Sequence, residues 1–164
     1  MAVLIAFEIN GASRVVEKFG AATGKAKIAA KSSLDLWAAQ LAEYITTDKL
    51  SGQVLNRRSS RLSSSVHPIT EQTGDSVSGG AGGGAGLKYA RIHEFGGWIP
   101  AHQVVATNAK ALAFSVGGAM RFAKSVQIPG YQMPERSYMR SSLAEKAPEG
   151  IAALREAVMA AIVS

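Results

Sequence analysis

The amino-acid sequence starts with an alternating pattern of hydrophobic and smaller or polar positions. Apolar side chains occupy Val3, Ile5, Phe7 and Ile9, with other residues between them. A period of two is typical of a strand that buries one face. The pattern therefore predicts an N-terminal strand over residues 3–9.

A second, longer pattern lies between residues 23 and 47, where the chain has no proline. Apolar residues recur there at spacings of three and four, which predicts an amphipathic helix with one apolar stripe. Large apolar and aromatic side chains on such a stripe are usually core residues. We expect this stripe to be buried: Leu34, Trp37, Leu41 and Ile45, with Ala30 and Ala38 beside them.

The middle of the chain is more polar and contains two predicted loops. Residues 50–65 are rich in serine and arginine, and they lead into a predicted short strand over 62–69 and a turn over 70–75. Six of the eight residues from 79 to 86 are glycine. Because glycine has high backbone entropy and no side chain to pack, this run predicts a flexible loop over 78–87.

Residues 111–128 alternate in the manner of a β-hairpin. A two-residue turn would place Phe114 opposite Arg121, whereas a three-residue turn over 117–119 places Phe114 opposite Phe122. Only the second register gives the hairpin one apolar face. We therefore predict the three-residue turn.

The sequence over 137–163 predicts a C-terminal helix, with either the start of a second helix or a kink at Pro148. Together these elements predict one α+β domain over 1–164. Its expected architecture is a small antiparallel sheet with a long β-hairpin packed against a long N-terminal helix and a C-terminal helix.

Composition adds a charge asymmetry to this outline. The 164 residues carry a formal net charge of +6. Residues 51–140 contain ten Lys or Arg and four Asp or Glu, so their excess of six equals the whole net charge. A basic segment of this kind favours an acidic partner, either nucleic acid or protein, although a solvated face explains the charge equally well.

The sequence offers little support for catalysis. The absence of cysteine excludes thiolate nucleophiles and cysteine-bound zinc. The Gly-Asp-Ser run at 74–76 lacks the other features of a hydrolase motif, and the Gly-x-Gly-x-x-Ala pattern at 80–85 lies inside a low-complexity run. His93, Glu94 and His102 are too few for a convincing metal site, and hydrogen bonds from His93 and Glu94 to backbone are favoured instead. We expect no cofactor and no metal.

Two blocks of sequence then suggest a family. Residues 89–97 read YARIHEFGG and are followed by IPA at 99–101, while residues 111–130 and PERSYM at 134–139 precede the C-terminal helix. In this order, the blocks resemble the minor tail, or tail-completion, proteins of long-tailed bacteriophages. The chain departs from the family where its second motif usually reads Arg-Pro-Phe-Leu.

The resemblance implies a structural protein of the virion neck or upper tail with no catalytic residues. Such a protein is assembled in the host bacterial cytoplasm as a ring, expected to be a hexamer, that completes the tail or joins it to the head. Its expected partners are neighbouring neck, tail-terminator or tail-tube proteins, with nonspecific contact with passing DNA and no membrane. The resemblance implies that Tyr89, Phe95 and Tyr138 anchor the packing, and that the interface and structural residues are Arg57, Arg58, Arg61, Tyr89, His93, Glu94, Phe95, Gly96, Gly97, Arg136 and Tyr138.

A second hypothesis remains open from the residues alone. The chain could be a basic nucleic-acid-binding module without sequence specificity that acts through Arg57, Arg58, Arg61 and Arg91. A small hydrolase using Ser76 and His93 is a distant third.

Overall fold

The computed structural model describes residues 3–8, 23–56, 58–74 and 76–163. Within these residues the chain forms three α-helices and nine strands in small antiparallel sheets. The long N-terminal and C-terminal helices pack against each other. The predicted α+β fold class is therefore confirmed.

Helix α1 (Thr23–Tyr44) follows the predicted amphipathic pattern. Its α-helical hydrogen bonding ends at Tyr44, and a wider π-helical segment (Ile45–Gln53) continues the path. The helical conformation is interrupted within this segment at Ser51 and Gly52, and Gly52 has a φ of 133°, which few residues other than glycine adopt. The predicted stripe is buried at every position: Ala30, Leu34, Trp37, Ala38, Leu41 and Ile45.

A three-stranded antiparallel sheet covers one side of α1. Its strands are β1 (Val3–Glu8), β2 (His67–Thr73) and β3 (Ser76–Gly83), in the order β1-β3-β2. Strand β2 begins later than the predicted strand over 62–69, because a 3₁₀ turn (Ser63–Ser65) occupies its expected start. Both β2 and β3 lie against α1.

The glycine run forms the central strand of this sheet, so the prediction of a flexible loop over 78–87 is wrong for its first part. Residues 79–83 of β3 are buried. A Cβ atom on Gly79 would lie 3.3 Å from the Leu34 side chain of α1. Glycine is therefore favoured here because the helix approaches the strand backbone too closely for most side chains.

Residues 88–95, which include His93 and Glu94, form helix α2 (Lys88–Phe95). The turn before it has positive φ angles at Gly84 and Gly86. A Cβ atom on Gly84 would lie 2.6 Å from that of Ala90, so the turn packs directly on the buried face of α2. This close contact fixes where α2 begins.

A long antiparallel ribbon follows α2, and we call residues 97–133 the β-arm. It contains six strands, of which β4 pairs with β9 at the base, β5 with β8 in the middle and β6 with β7 at the tip. Pro100 and Pro129 separate the base from the middle, as expected because proline has no backbone N–H group to donate to a neighbouring strand. The six strands are β4 (Gly97–Ile99), β5 (His102–Val105), β6 (Leu112–Val116), β7 (Ala119–Ala123), β8 (Ser125–Ile128) and β9 (Tyr131–Met133).

The tip of the β-arm has a two-residue turn, so the predicted three-residue turn is wrong. Phe114 lies opposite Arg121, as in the register that the prediction rejected. Gly117 and Gly118 have φ angles of 58° and 83°, and a turn with two positive φ values matches the twist of its strands. The apolar-face argument failed because this hairpin makes its main contacts within itself and not with a core.

Helix α3 (Arg140–Val163) is a single helix that contains Pro148 instead of restarting there. It packs on α1 where Trp37 lies against Gly150: a Cβ atom on this glycine would be 2.5 Å from the indole ring. The Trp37 Nε1–H group also donates to the Lys146 carbonyl at 3.1 Å. This contact sets the distance between the two long helices.

A polar cluster joins the same helices beside Trp37. The Glu145 carboxylate accepts hydrogen bonds from Tyr44 Oη at 2.6 Å and from Lys49 Nζ at 2.7 Å. The bond from Lys49, followed by that from Tyr44, holds the pKa of Glu145 below its ordinary value. Burial is the largest single effect on Lys49 and lowers its pKa, but the hydrogen bond and charge of Glu145 together with Tyr44 outweigh it, so the pKa of Lys49 is raised.

The Glu145 cluster predicts a pH-dependent contribution to stability. A carboxyl whose pKa falls on folding stabilises the fold above its unfolded pKa, and this contribution is lost as the pH falls through the folded value. We expect Glu145→Gln to lower the free energy of unfolding near neutral pH by less than about 1 kcal/mol, because the side chain is half-exposed, and thermal unfolding measures the change. The difference should disappear in acid. A difference from wild type that stays constant down to the acid limit of folding would contradict the assignment.

Candidate interface at the root of the β-arm

A cleft of about 870 Å³ opens where residues 54–56 and 58–62 face α2 and the end of the β-arm. We call it the basic cleft. It gathers several side chains that the sequence analysis proposed, although Arg57 lies outside the described residues. Its lining residues are Val54, Leu55, Asn56, Arg58, Ser59, Arg61, Leu62, Tyr89, His93, Met133 and Arg136.

The lining of the basic cleft is positively charged above an apolar floor. Arg58, Arg61 and Arg136 are exposed, and the lining contains no Asp or Glu. Within the described part of the chain, no carboxylate forms an ion pair with any of the three guanidinium groups. The floor combines aliphatic side chains from the loop with Met133 at the end of β9.

His93 forms one wall of the basic cleft. Its ring lies 6.2 Å from that of Tyr89 in an edge-on arrangement, and its carbonyl accepts the Arg136 N–H at 2.8 Å. Burial, and secondarily the charge of Arg136, lowers the pKa of His93. The Nδ1 atom is buried and has no hydrogen-bond partner among the described residues.

Glu94 is a fully buried carboxylate that caps helix α3 from a distance in sequence. Its two oxygens accept backbone N–H groups at 2.8 Å from Tyr138, 2.9 Å from Met139 and 2.9 Å from Arg140. The hydroxyl of Ser137 donates to the same carboxylate at 2.8 Å. Tyr138 and Met139 directly precede α3 and Arg140 is its first residue, so the carboxylate lies at the N-terminus of the helix, where a negative charge is favourable.

Arg140 completes the arrangement around Glu94. Its Nε donates to the Glu94 carboxylate at 3.2 Å, and its guanidinium also bonds to Glu135 at 2.7 Å. The guanidinium carbon lies 4.5 Å from the centre of the Phe95 ring, a cation–π distance. The sequence analysis did not select Arg140, because no motif distinguishes it from the other basic residues of the middle segment.

The three proposed aromatic anchors differ in burial. Tyr138 is completely buried, whereas Phe95 is 46% exposed and Tyr89 is 37% exposed. Burial, with a smaller effect from the Glu94 charge, raises the pKa of Tyr138 well above its usual range. Only Tyr138 therefore packs as a core anchor, because the Phe95 ring lies under Arg140 at the surface.

Gly96 and Gly97 form the junction between α2 and the β-arm. Gly96 has a φ of 65°, and a Cβ atom there would lie 2.8 Å from the backbone nitrogen of Glu135. Gly97 has a φ of 137°, and its Cβ atom would lie 3.0 Å from Ile92. Both positions need glycine, because both φ angles are positive and the backbone of Gly96 packs against that of Glu135, just past the end of the arm.

The motifs weighed for catalysis are not brought together. Ser76 begins strand β3 after the turn at Gly74, and the neighbouring Asp75 lies outside the described residues. The glycine pattern over 80–85 lies mainly in β3, and α2 begins three residues after it. In the described ranges, no group of three His, Asp or Glu side chains could hold a metal ion.

The site thus combines a cationic cleft with a rigid base for the β-arm. Among the described residues, no helix has the length and hydrophobicity needed to cross a membrane. No protein-family model matches the chain, and no curated protein or solved structure matches it either.

Proposed function

We propose that this protein is a structural, non-enzymatic subunit of the neck or upper tail of a phage-like particle. In this role it assembles into a ring, expected to be a hexamer, and contacts neighbouring neck, tail-terminator or tail-tube proteins. The resemblance of residues 89–101 and 111–139 to tail-completion proteins motivates the proposal. The β-arm is the single observation that carries it.

The β-arm exposes large hydrophobic side chains along most of its length. Exposed fractions reach 70% for Phe122, 64% for Trp98, 61% for Met120 and 57% for Val116. A two-stranded ribbon is marginally stable alone in water, and its open edges favour pairing with another chain. An arm of this kind is expected to be stabilised by contact with a neighbouring subunit.

The junction at the root supports the same role. The carboxylate of Glu94 on α2 accepts hydrogen bonds at the start of α3, and Gly96 connects α2 to the arm. The arm therefore projects from a fixed base. A projecting element that binds a different surface on the next copy gives a head-to-tail contact, which closes into a ring when the rotation allows it.

The proposal predicts that the arm tip is needed for assembly. The double substitution Met120→Ser with Phe122→Ser removes two exposed hydrophobic side chains and leaves the core intact. We expect it to abolish co-elution with the neck and tail-tube proteins encoded beside this chain, measured on a sizing column. The loss arises because buried aromatic and methionine anchors dominate such interfaces.

A matched control lies in the middle of the same arm. Gln103 and Gln127 are exposed and lie opposite each other in the β5–β8 ladder. Changing both to serine alters the arm without removing an apolar anchor, and co-elution should persist. Equal co-elution of the wild type and the tip variant would contradict an arm-based assembly.

A further inference from the structure

We infer that the basic cleft binds an acidic, partly apolar segment of a neighbouring protein subunit. The inference rests on the proposed function, because it names one surface through which the assembly protein would receive a neighbour. The cleft is separate from the arm tip. Each subunit would therefore offer two different contact elements, as a head-to-tail ring requires.

The charge of the basic cleft is unbalanced. Arg58, Arg61 and Arg136 line one cavity that contains no carboxylate, and none of them is ion-paired within the described ranges. By contrast, the nearby Arg140 has two carboxylate partners. Guanidinium groups bind carboxylates through paired hydrogen bonds, so a ligand with several Asp or Glu side chains fits this lining.

The basic cleft also has an apolar floor. Val54, Leu55, Leu62 and Met133 offer an aliphatic surface below the arginines. Duplex DNA would present a polar sugar-phosphate surface to the cleft and leave this floor uncovered. An acidic segment with Leu or Phe between its carboxylates would cover the floor while pairing with the rim, and the volume suits a few side chains.

The basic cleft has a polar wall at His93. Its buried Nδ1 atom has no hydrogen-bond partner among the described residues. Buried polar atoms are normally hydrogen-bonded, so a small shift of this wall when the cleft is occupied would let a ligand group or a water satisfy the atom. Tyr89, which packs edge-on against His93 and is partly exposed, adds an aromatic contact of the kind enriched in interfaces.

The cleft also adjoins the root of the β-arm. Met133 ends strand β9, and the Arg136 backbone is bonded to the His93 carbonyl of α2. A segment bound in the cleft would therefore contact α2 and the returning end of the arm at once. Occupation of the cleft by one neighbouring subunit would hold the arm in a fixed direction, so that the arm can bind a second neighbouring subunit.

The test uses the full chain and a fluorescein-labelled peptide that alternates Asp or Glu with Leu and Phe. Its binding is followed by fluorescence anisotropy, and we expect Arg61→Glu with Arg136→Glu to weaken it at least about tenfold. Arg155→Glu with Lys110→Glu makes the same charge change outside the cleft and should alter affinity less than about twofold. A peptide with Lys at every acidic position should not bind.

Two results of the binding experiment would overturn the inference. One is the absence of any binding by the acidic peptide at millimolar concentration. The other is tighter binding of a short mixed-sequence DNA duplex that displaces the peptide, falls steeply with salt and is lost in the Arg61→Glu, Arg136→Glu variant. That second pattern would assign the cleft to nucleic acid.

The same variants separate this inference from the proposed function. If the cleft variant assembles with the neck and tail-tube proteins as the wild type does, the inference fails and the proposed function stands. If the tip variant with serine at positions 120 and 122 also assembles normally, assembly through the arm fails, whereas the proposed function itself fails if the wild type does not assemble with these proteins. Folding of each variant is checked by circular dichroism, and the exposure of the cleft arginines indicates that their replacement leaves the core intact.

Discussion

Replacing Glu94 by alanine is expected to lower the free energy of unfolding by about 3–5 kcal/mol. The side chain is fully buried, and its carboxylate accepts three backbone N–H groups at and just before the start of α3 together with the Ser137 hydroxyl. Alanine would leave these buried donors without an acceptor and would separate α2 from α3. Denaturant unfolding followed by circular dichroism measures the loss.

Two related variants give this prediction its controls. Glu94→Gln keeps the size of the side chain but turns an NH₂ group toward N–H donors, so most of the loss should remain. Glu135→Ala removes the other carboxylate partner of Arg140, which is exposed, and should cost less than about 1 kcal/mol. Similar stability of Glu94→Ala and Glu135→Ala would show that Glu94 does not cap α3.

The second large effect is expected at Trp37, where alanine should cost about 3–5 kcal/mol. The ring is 5% exposed, fills the space between α1 and α3, and donates its N–H to the Lys146 carbonyl. Its loss leaves a cavity at the main helix contact and removes the hydrogen bond to the Lys146 carbonyl. Thermal and denaturant unfolding measure the change, and an unaltered melting temperature would contradict this placement.

Gly150 provides a direct check on the Trp37 contact. In the wild type, Gly150→Ala should destabilise the protein, because a Cβ atom would lie 2.5 Å from the rigid indole. In the Trp37→Ala background the same change should be neutral or stabilising, since alanine is favoured over glycine in a helix by about 1 kcal/mol. Equal effects of Gly150→Ala in both backgrounds would mean that the two residues are not coupled.

Local periodicity was sufficient to predict the long helices but not to predict the glycine-rich strand. The spacing of Leu34, Trp37 and Leu41 already indicates which face of α1 is buried, because residues three or four positions apart lie on the same face of a helix. The glycines of β3 have no side chains and therefore no period. Their burial follows from the close approach of Leu34 to the strand at Gly79, which is a tertiary contact that the sequence does not display.

The candidate site was predictable as a set of residues but not as an arrangement. The resemblance selected Tyr89, His93, Glu94 and Arg136, and the structure places three of them on the wall of one cleft. It could not indicate that Glu94 points away from that cleft and caps α3, because the capped N–H groups lie more than forty positions later in the chain. Nor could it separate Phe95, at the surface, from Tyr138 in the core.

Assembly is the central claim, and the mass of the purified protein in solution tests it most directly. Light scattering on a sizing column would be recorded for the protein alone and mixed with the neck and tail-tube proteins encoded beside it. We predict a discrete ring-sized species, either of the protein alone or only with its partners. A monomer in every mixture, shifted only by added DNA, would contradict the structural role and favour a nucleic-acid-binding module.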